Sequence, residues 1–316
     1  MGVGLKTYGD ALDFLFARTT GVWRLGLDRV EGFLHELGDP HRRVPTIHVA
    51  GTNGKGSVCA TVEAVLRAKG LRVAKYTSPH LVDFRERFLI DGVPVSPDRI
   101  LEFILRRTPD VERLGATFFE ATTAMAFEFF AEAQADVAVI ETGLGGRLDA
   151  TNVVAPLVAG VTTIGIDHVE YLGGTREEIA FEKAGIFKAA TPAVIGEPEV
   201  EIRELLTRLA ADHGATPIKA VYADGGPQKV EVMPDGTWFD LPGFGGRLRT
   251  PLLGAHQAAN AAVALTMLDA LPERFRPSRE ELERGLEGVR LPGRFQRVGR
   301  YIFDRSEEHT SELQSH

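Results

Sequence analysis

The chain has 316 residues, of which 44% are hydrophobic and 25% are charged, and its formal net charge is −8 at pH 7. This balance indicates one large folded domain or two smaller ones, and the negative charge argues against a nucleic-acid partner. The single cysteine, Cys59, excludes an internal disulfide and a cysteine-based metal site. No apolar run approaches the roughly 18 residues of a membrane span and no leader-like segment opens the chain, so we expect a cytoplasmic protein.

The first part of the chain predicts two helices, a buried strand and a glycine-rich loop. Apolar residues recur at helical spacing over 5–18 and 27–37, and the run 46–50 predicts the strand. A helical pattern over 58–69 comes next. Between strand and helix lie Gly51, Thr52, Asn53, Gly54, Lys55, Gly56 and Ser57.

A strand, a glycine-rich turn and a helix form the setting of a phosphate-binding loop. Glycines let backbone N–H groups face a phosphate, the helix N-terminus is partly positive, and Lys55 can reach a β- or γ-phosphate. The usual pattern has Ser or Thr directly after the lysine, whereas here Gly56 precedes Ser57. The generic motif therefore fits imperfectly, and an ordinary strand-to-helix turn is the alternative.

Further elements continue the alternation of strands and helices. The run 71–76 predicts a second buried strand, and Asp91-Gly92 predicts a turn within a hairpin-like segment at 81–94. Ser96 is typical of a helix N-cap. Thr117 opens a long apolar helix that extends to about residue 135, and from composition alone its phenylalanines belong to the core.

Three polar residues follow predicted strands and are expected at one edge of the sheet. Ser78 follows the strand 71–76, Glu141 ends a strand at 136–141, and His168 follows a strand at 157–164. In open α/β sheets ligands gather at the carboxyl ends of the strands. A hydroxyl, a carboxylate and a neutral imidazole there can hold Mg²⁺ together with phosphate oxygens and water, although each residue alone is more often structural or solvated.

The remaining segments predict the end of this sheet and an addition to it. A helix starts at Thr175 with capping-box spacing, and a strand at 191–196 and a helix at 199–213 follow. Short alternating runs broken by glycines over 215–253 predict antiparallel strands appended to the parallel sheet. An alanine-rich helix is predicted over 255–271.

Eight motifs occur in a fixed order: GTNGKGS (51–57), TSPHL (77–81), TFFE (117–120), ETGLGGRLDATN (141–152), IGIDHVEYLG (164–173), EKAGIFK (182–188), GAHQAAN (254–260) and PGRFQ (292–296). With these motifs, residues 5–304 resemble the bacterial folylpolyglutamate synthase/dihydrofolate synthase family, a branch of the Mur ligases. The phosphate loop matches the version found in this family, which accounts for its departure from the generic motif.

The resemblance implies an α/β fold with a P-loop NTPase-like, mostly parallel sheet flanked by helices and a small antiparallel addition. Residues 1–296 would form the ATP-binding Mur ligase-type central domain. Residues 297–304 would form the first strand of a C-terminal Rossmann-like glutamate-ligase domain whose remainder is missing here. Residues 305–316 resemble a translated sequencing adapter, and we interpret them as an artefactual tail.

The resemblance also implies the reaction and its participants. ATP would phosphorylate a carboxylate of dihydropteroate or folate, and the amino group of L-glutamate would attack the acyl phosphate and expel phosphate. ATP would be the co-substrate with two Mg²⁺ ions, in a monomer without nucleic-acid or membrane partners. We expect a chain that lacks the second domain to ligate poorly.

Site residues follow from the resemblance, position by position. Catalytic roles are implied for Lys55, His168 and Lys183. Nucleotide contacts are implied for Gly51, Thr52, Asn53, Gly54, Lys55, Gly56, Ser57, Asn260, Arg294 and Asp304. Metal ligands would be Ser78, Glu141, His168 and, as a carbamate, Lys183. The pterin side of the site would be lined by Thr117, Phe118, Phe119, Glu120, Leu148, Asp149 and Ala150.

Other functions compete with this one. A Mur-type ligase acting on a UDP-linked cell-wall precursor would share the phosphate loop, but the TFFE and GLGGRLDATN motifs favour folate. A P-loop kinase or NTPase switch is disfavoured by Gly56 before Ser57. A nucleotide-binding module without catalysis is a further alternative, because the chain lacks the second domain that the resemblance implies.

Overall fold

The computed structural model describes residues 5–19, 26–293, 296–298 and 301–303. The helices are α1 (Tyr8–Phe16), α2 (Asp28–Glu36), α3 (Lys55–Ala68), α4 (Pro97–Leu114), α5 (Phe118–Glu132), α6 (Val169–Leu172), α7 (Arg176–Ala184), α8 (Val200–Asp212), α9 (Ala255–Asp269) and α10 (Arg279–Glu287). The strands are β1 (Thr46–Ala50), β2 (Val73–Tyr76), β3 (Phe88–Ile90), β4 (Val93–Pro94), β5 (Val137–Glu141), β6 (Val158–Val161), β7 (Ala193–Ile195), β8 (Ile218–Ala220), β9 (Gln228–Met233), β10 (Gly236–Asp240), β11 (Arg247–Thr250), β12 (Gln296–Val298) and β13 (Tyr301–Phe303). Among the residues described, no helix is long and apolar enough to span a membrane.

The main sheet has eight strands in the order β4-β3-β2-β5-β1-β6-β7-β8. The six strands from β2 to β8 in this order pair in parallel, whereas β3 and β4 add an antiparallel edge. The predicted α/β fold with a mostly parallel sheet is thereby confirmed. Because β1 lies between β5 and β6, the loop that follows β1 sits at the centre of the carboxyl edge.

Helices cover both faces of the sheet, and successive residues of its strands serve opposite cores. On β2 and β5, Ala74 and Ile140 belong to a cluster with the phenylalanines of α5, while Val73 and Val139 belong to a cluster with α3 and α9. This alternation is the period of two expected of a strand buried on both sides. Phe127, Phe129 and Phe130 lie in the first cluster, as predicted, and Cys59 is buried in the second.

The predicted small antiparallel addition is confirmed over residues 215–253, but it differs in detail from the prediction. The strand β8 pairs in parallel with β7 at the sheet edge, and β9, β10 and β11 form a separate antiparallel sheet. The three residues of β8 are too few for a periodic signal. The prediction of antiparallel strands therefore rested on the glycine-rich turns that follow β8. The hydroxyl of Thr237 donates to Leu252 O at 2.8 Å and ties the small sheet to the segment before α9.

The last strands described form a hairpin. Residues 301–303 are extended as predicted, and they pair antiparallel with 296–298, so the segment predicted as one strand over 297–304 contributes to two. The domain boundary at 296 stays a prediction.

Candidate active site

The glycine-rich loop follows β1, and its helix begins at Lys55, earlier than predicted. Gly54 is the N-cap of α3 with φ +87°, and no side chain caps this helix end. A Cβ atom at Gly54 would lie 2.1 Å from Asn260 Oδ1, so Asn260 lies directly against the loop. The N-terminal amides of a helix without a side-chain cap suit an anion such as phosphate.

Two lysines contact the carbonyl groups of this loop. The amine of Lys55 donates to Gly51 O at 3.0 Å and to Thr52 O at 3.2 Å. The amine of Lys183, which comes from α7 and is only 4% exposed, donates to the same Gly51 O at 3.0 Å. Burial, followed by the charge of Lys55, lowers the pKa of Lys183 to about 7. A large fraction of this amine is therefore neutral at physiological pH.

Hydrogen bonds join the phosphate loop to the segment after β6. The Thr52 hydroxyl accepts the Gly165 N–H at 3.0 Å and approaches Gly165 O at 3.2 Å. The Thr52 N–H donates to Thr163 O at 2.7 Å, and the Thr162 hydroxyl donates to Asn53 O at 2.6 Å. The side chain of Thr52 thus binds protein backbone. The contact with nucleotide that was predicted for Thr52 stays a prediction.

The predicted metal ligands lie at the carboxyl edge. Glu141 is the buried last residue of β5, and its carboxylate accepts the Ser78 N–H at 3.2 Å, so these two residues meet as predicted. His168 lies on the loop after β6 with φ +48°, and Asp167 accepts its backbone N–H at 2.8 Å. Asp167 Oδ2 is also 3.6 Å from His168 Nε2.

Ser78, Glu141 and His168 offer a hydroxyl, a carboxylate and an imidazole at this edge. Within the described part of the chain, no group of three or more His, Cys, Asp or Glu residues is arranged to hold a metal ion by itself. Mg²⁺ retains several waters and is commonly held by one or two carboxylates plus substrate phosphates. A buried carboxylate beside a phosphate loop therefore fits Mg²⁺ that arrives with a nucleotide.

The predicted pterin side begins at the N-terminus of α5. Thr117 caps the helix, and Glu120 completes a capping box by accepting the Thr117 N–H at 2.8 Å. Glu120 is also buried and pairs with Arg29 of α2 at 3.0 Å. The carboxylate of Glu120 therefore has structural partners, and its predicted substrate contact stays a prediction.

Phe118 and Phe119 are largely buried in aromatic surroundings. The ring of Phe118 stacks on Phe16 with centroids 5.3 Å apart, and the guanidinium carbon of Arg87 lies 5.2 Å from the ring. A Cβ atom at Gly143 would lie 2.3 Å from Phe119 Cζ, so the loop after β5 passes directly over this ring. The Phe119 ring thus lies against the loop that carries the remaining predicted pterin contacts.

Asp149 organises that loop. Its carboxylate accepts the N–H groups of Gly143 at 2.9 Å, Leu144 at 2.8 Å and Thr151 at 3.0 Å, and also the Thr151 hydroxyl. Burial raises the pKa of Asp149, and these donors oppose the rise. Because the Thr151 hydroxyl donates to Asp149, it accepts from His48 Nε2 at 2.8 Å. Four donors hold Asp149, while Leu148 beside it is partly exposed and Ala150 is buried.

Some site features escaped the sequence reasoning, and two predicted residues cannot be placed. Asp167, adjacent to His168, had a usable signal because it is an acid in the loop that follows a buried strand. Arg176 and Glu197 lie outside this loop and both form hydrogen bonds with its residue Ile164. Their spacing in the sequence did not indicate these contacts. Arg294 and Asp304 lie outside the described residues.

Comparisons with known proteins agree with the geometry. Residues 49–268 match the family described as Mur ligase middle domain. The chain is 36% identical over 303 residues to the dihydrofolate synthase/folylpolyglutamate synthase of Bacillus subtilis, covering 92% of this chain and 70% of the relative. It is 38% identical over 283 residues to the enzyme of that name from Escherichia coli, covering 89% of this chain and 65% of the relative.

Solved structures give the same relationship. Folylpolyglutamate synthase from Thermotoga maritima superposes with a TM-score of 0.85 at 35% identity, covering 95% of this chain and 70% of that one. A structure described as E. coli FolC in complex with DHPP and ADP superposes with a TM-score of 0.80 at 34% identity, covering 97% of this chain and 72% of that one. The chain spans about two thirds of the length of these relatives, and 36% of the probable bifunctional folylpolyglutamate synthase/dihydropteroate synthase of Haloferax volcanii.

Proposed function

Because the chain belongs to the dihydrofolate synthase/folylpolyglutamate synthase family of Mur ligases, we propose that it carries the ATP-binding core of a glutamate ligase. The reaction joins L-glutamate to dihydropteroate, or to the γ-carboxyl of a folylpolyglutamate, through an acyl phosphate. The observation that carries the proposal is the phosphate loop at the centre of the sheet, with Lys55 and Lys183 both bonded to Gly51 O. The proposal includes a monomeric, cytoplasmic enzyme.

The phosphate loop would bind and orient the triphosphate. Its helix N-terminus offers backbone amides, and Asn260 packs against the loop where a nucleotide would enter. Lys55 would exchange its bonds to Gly51 O and Thr52 O for a phosphate oxygen. Placing a cation at the γ-phosphate offsets the repulsion between two anions, the phosphate and the carboxylate that attacks it.

Mg²⁺ would be held by Ser78, Glu141 and His168, and a second ion by Lys183 as a carbamate. When bound, Mg²⁺ would neutralise phosphate charge during transfer. Carbamate formation requires a neutral amine: the lone pair of Lys183 Nζ attacks CO₂, an N–C bond forms and one proton leaves. The low pKa and burial of Lys183 support this assignment.

The substrate would enter between the aromatic cluster and the glycine loop. Phe118 and Phe119 are largely buried and would border the pterin at the edge of the cluster, and Leu148 and Ala150 lie on the loop that Asp149 holds in shape. A flat pterin matches such a slot because aromatic rings stack favourably at offset geometry. L-Glutamate would attack from the side of the site that the described residues do not supply.

Calorimetric titration with AMPPCP, with and without Mg²⁺, tests the proposed nucleotide site. We expect binding that strengthens with Mg²⁺ and that Lys55→Met weakens by at least tenfold. Lys219→Met is the matched control, because Lys219 pairs with Asp269 outside this site. Binding that is indifferent to Lys55→Met would refute the proposed role of the loop.

The runner-up, a Mur-type ligase acting on a UDP-linked precursor, makes a different prediction. It requires saturable binding of a UDP-linked peptide in place of a pteroate. The folate relatives favour the first function.

A further inference from the structure

The loop that carries His168 is braced at one peptide unit by an ion pair. Glu197, in the segment after β7, accepts the Ile164 N–H at 2.7 Å. Arg176, the first residue of α7, donates from Nε to Ile164 O at 2.9 Å. The same two side chains bond to each other at 3.1 Å. Both backbone groups of Ile164 are therefore held by one ion pair, in which Glu197 is buried and Arg176 is partly exposed.

The next residue is held from the opposite side. Gly165 bonds to the Thr52 hydroxyl with its N–H at 3.0 Å and its carbonyl at 3.2 Å. Buried backbone groups outside helices and sheets require partners, and here the partners come from the phosphate loop and from the ion pair. Ile164 and Gly165 thus form a strap between the phosphate loop and the Arg176–Glu197 pair.

Stability alone does not explain this ion pair. Glu197 is 1% exposed, and its second oxygen accepts the Glu199 N–H at 3.0 Å as well as the Arg176 guanidinium. Ion pairs at partly exposed positions contribute little to stability, and buried ones often no more than well-packed apolar residues. An ion pair with arginine can, however, fix the position of the groups it contacts, because the planar guanidinium directs several N–H groups at fixed angles.

We propose that Arg176 and Glu197 are positioning residues, which hold the Ile164–Gly165 strap so that His168 stays in register with the phosphate loop. The inference rests on the proposed function, since it assigns the pair an effect on nucleotide bound with Mg²⁺. The pair acts through the loop and would leave the phosphate loop itself able to bind nucleotide. Loss of the Arg176–Glu197 pair should therefore weaken nucleotide binding in the presence of Mg²⁺ and leave nucleotide binding without Mg²⁺ nearly unchanged.

The test measures the ratio of the AMPPCP dissociation constants without and with Mg²⁺, by calorimetry on the 316-residue chain. Arg176→Lys keeps a positive charge beside Glu197 but cannot direct N–H groups to Ile164 O and Glu197 at once. Glu197→Gln keeps one acceptor and removes the charge. We expect either substitution to reduce this ratio at least fivefold while AMPPCP binding without Mg²⁺ changes less than twofold.

Two control variants remove neighbouring contacts and spare the strap. Glu199→Gln removes another partner of Arg176, and Arg203→Lys alters a side chain that donates to Glu197 O at 3.3 Å. Both should keep the wild-type ratio. Thermal melting of every variant reports on folding, and if Glu197→Gln fails to fold, Arg176→Lys decides the outcome.

Three results would count against the inference. An unchanged ratio in a folded Arg176→Lys variant would overturn it, and so would an equal loss of binding with and without Mg²⁺, which indicates a general structural role. A wild-type chain whose AMPPCP binding ignores Mg²⁺ would refute the proposed function and the inference together. The first two results would leave the proposed function standing.

Discussion

Replacing Lys183 with methionine should make the protein more stable at neutral pH. The pKa of Lys183 is about 7 in the folded chain against a model-compound value of 10.5, so the unfolded state binds more protons between these two values. Protonation therefore penalises folding fully below about pH 7, and the penalty fades as pH rises toward 10.5. At 1.36 kcal/mol per pKa unit the full penalty is on the order of 5 kcal/mol.

The size of this penalty is best measured as the difference in free energy of unfolding between wild type and Lys183→Met at several pH values. Between pH 7 and pH 9 the penalty falls by about 2 kcal/mol, so wild type should gain that much relative to Lys183→Met over this interval. Urea denaturation in CO₂-free buffer at pH 7, 8 and 9 gives the free energies of unfolding. Methionine resembles the lysine stem, so packing changes should contribute a nearly constant offset.

Lys219→Met is the control for this series, since Lys219 lies at the surface with its amine paired to Asp269. Its difference from wild type should vary little with pH. Adding bicarbonate should stabilise wild type and leave Lys183→Met unchanged if the amine is carbamylated. A Lys183→Met difference that stays constant from pH 7 to 9 would refute the claim that this buried amine is held neutral.

Three further changes probe the loops around the site. Gly54→Ala should cost about 1–2 kcal/mol of stability by urea denaturation and should weaken AMPPCP binding. The reason is that the new Cβ atom would lie 2.1 Å from Asn260 Oδ1 on a residue with positive φ. Wild-type affinity for AMPPCP would contradict this close approach. Thr52→Val should weaken Mg²⁺-dependent AMPPCP binding while Thr52→Ser preserves it, and equal effects of the two would exclude a role for the hydroxyl. Asp149→Asn should cost about 2–4 kcal/mol by the same denaturation assay, because its amide N–H₂ would face backbone donors; a change below 0.5 kcal/mol would contradict the assigned bonds.

Sequence reasoning placed Ser78 and Glu141 at one edge of the sheet, because the carboxyl ends of parallel strands lie at the same edge. Ser78 and Glu141 follow strands that are distant in sequence, yet β2 and β5 are neighbours and the two residues meet. The rule that ligands gather at the carboxyl edge required only strand assignments, which continuous apolar runs supply. The phosphate loop was equally accessible, because its glycines and lysine are contiguous.

What could not be predicted depends on contacts between distant side chains. Nothing in the spacing of Arg176 and Glu197 indicates that both bind Ile164, and the capping box of Glu120 did not reveal its pairing with Arg29. Asp149 similarly looked like a ligand contact, whereas its carboxylate binds backbone N–H groups of its own loop. Short elements such as β8 also carry too few residues for a periodic signal.

The proposed function requires this core to bind a pteroate-type substrate beside ATP. The affinity of the chain for dihydropteroate, with Mg²⁺ and AMPPCP present, should therefore be compared with its affinity for a UDP-linked peptide. We expect saturable dihydropteroate binding that Phe118→Ala weakens at least tenfold, and no detectable binding of the UDP-peptide. Preferential binding of the UDP-peptide would refute the proposed substrate.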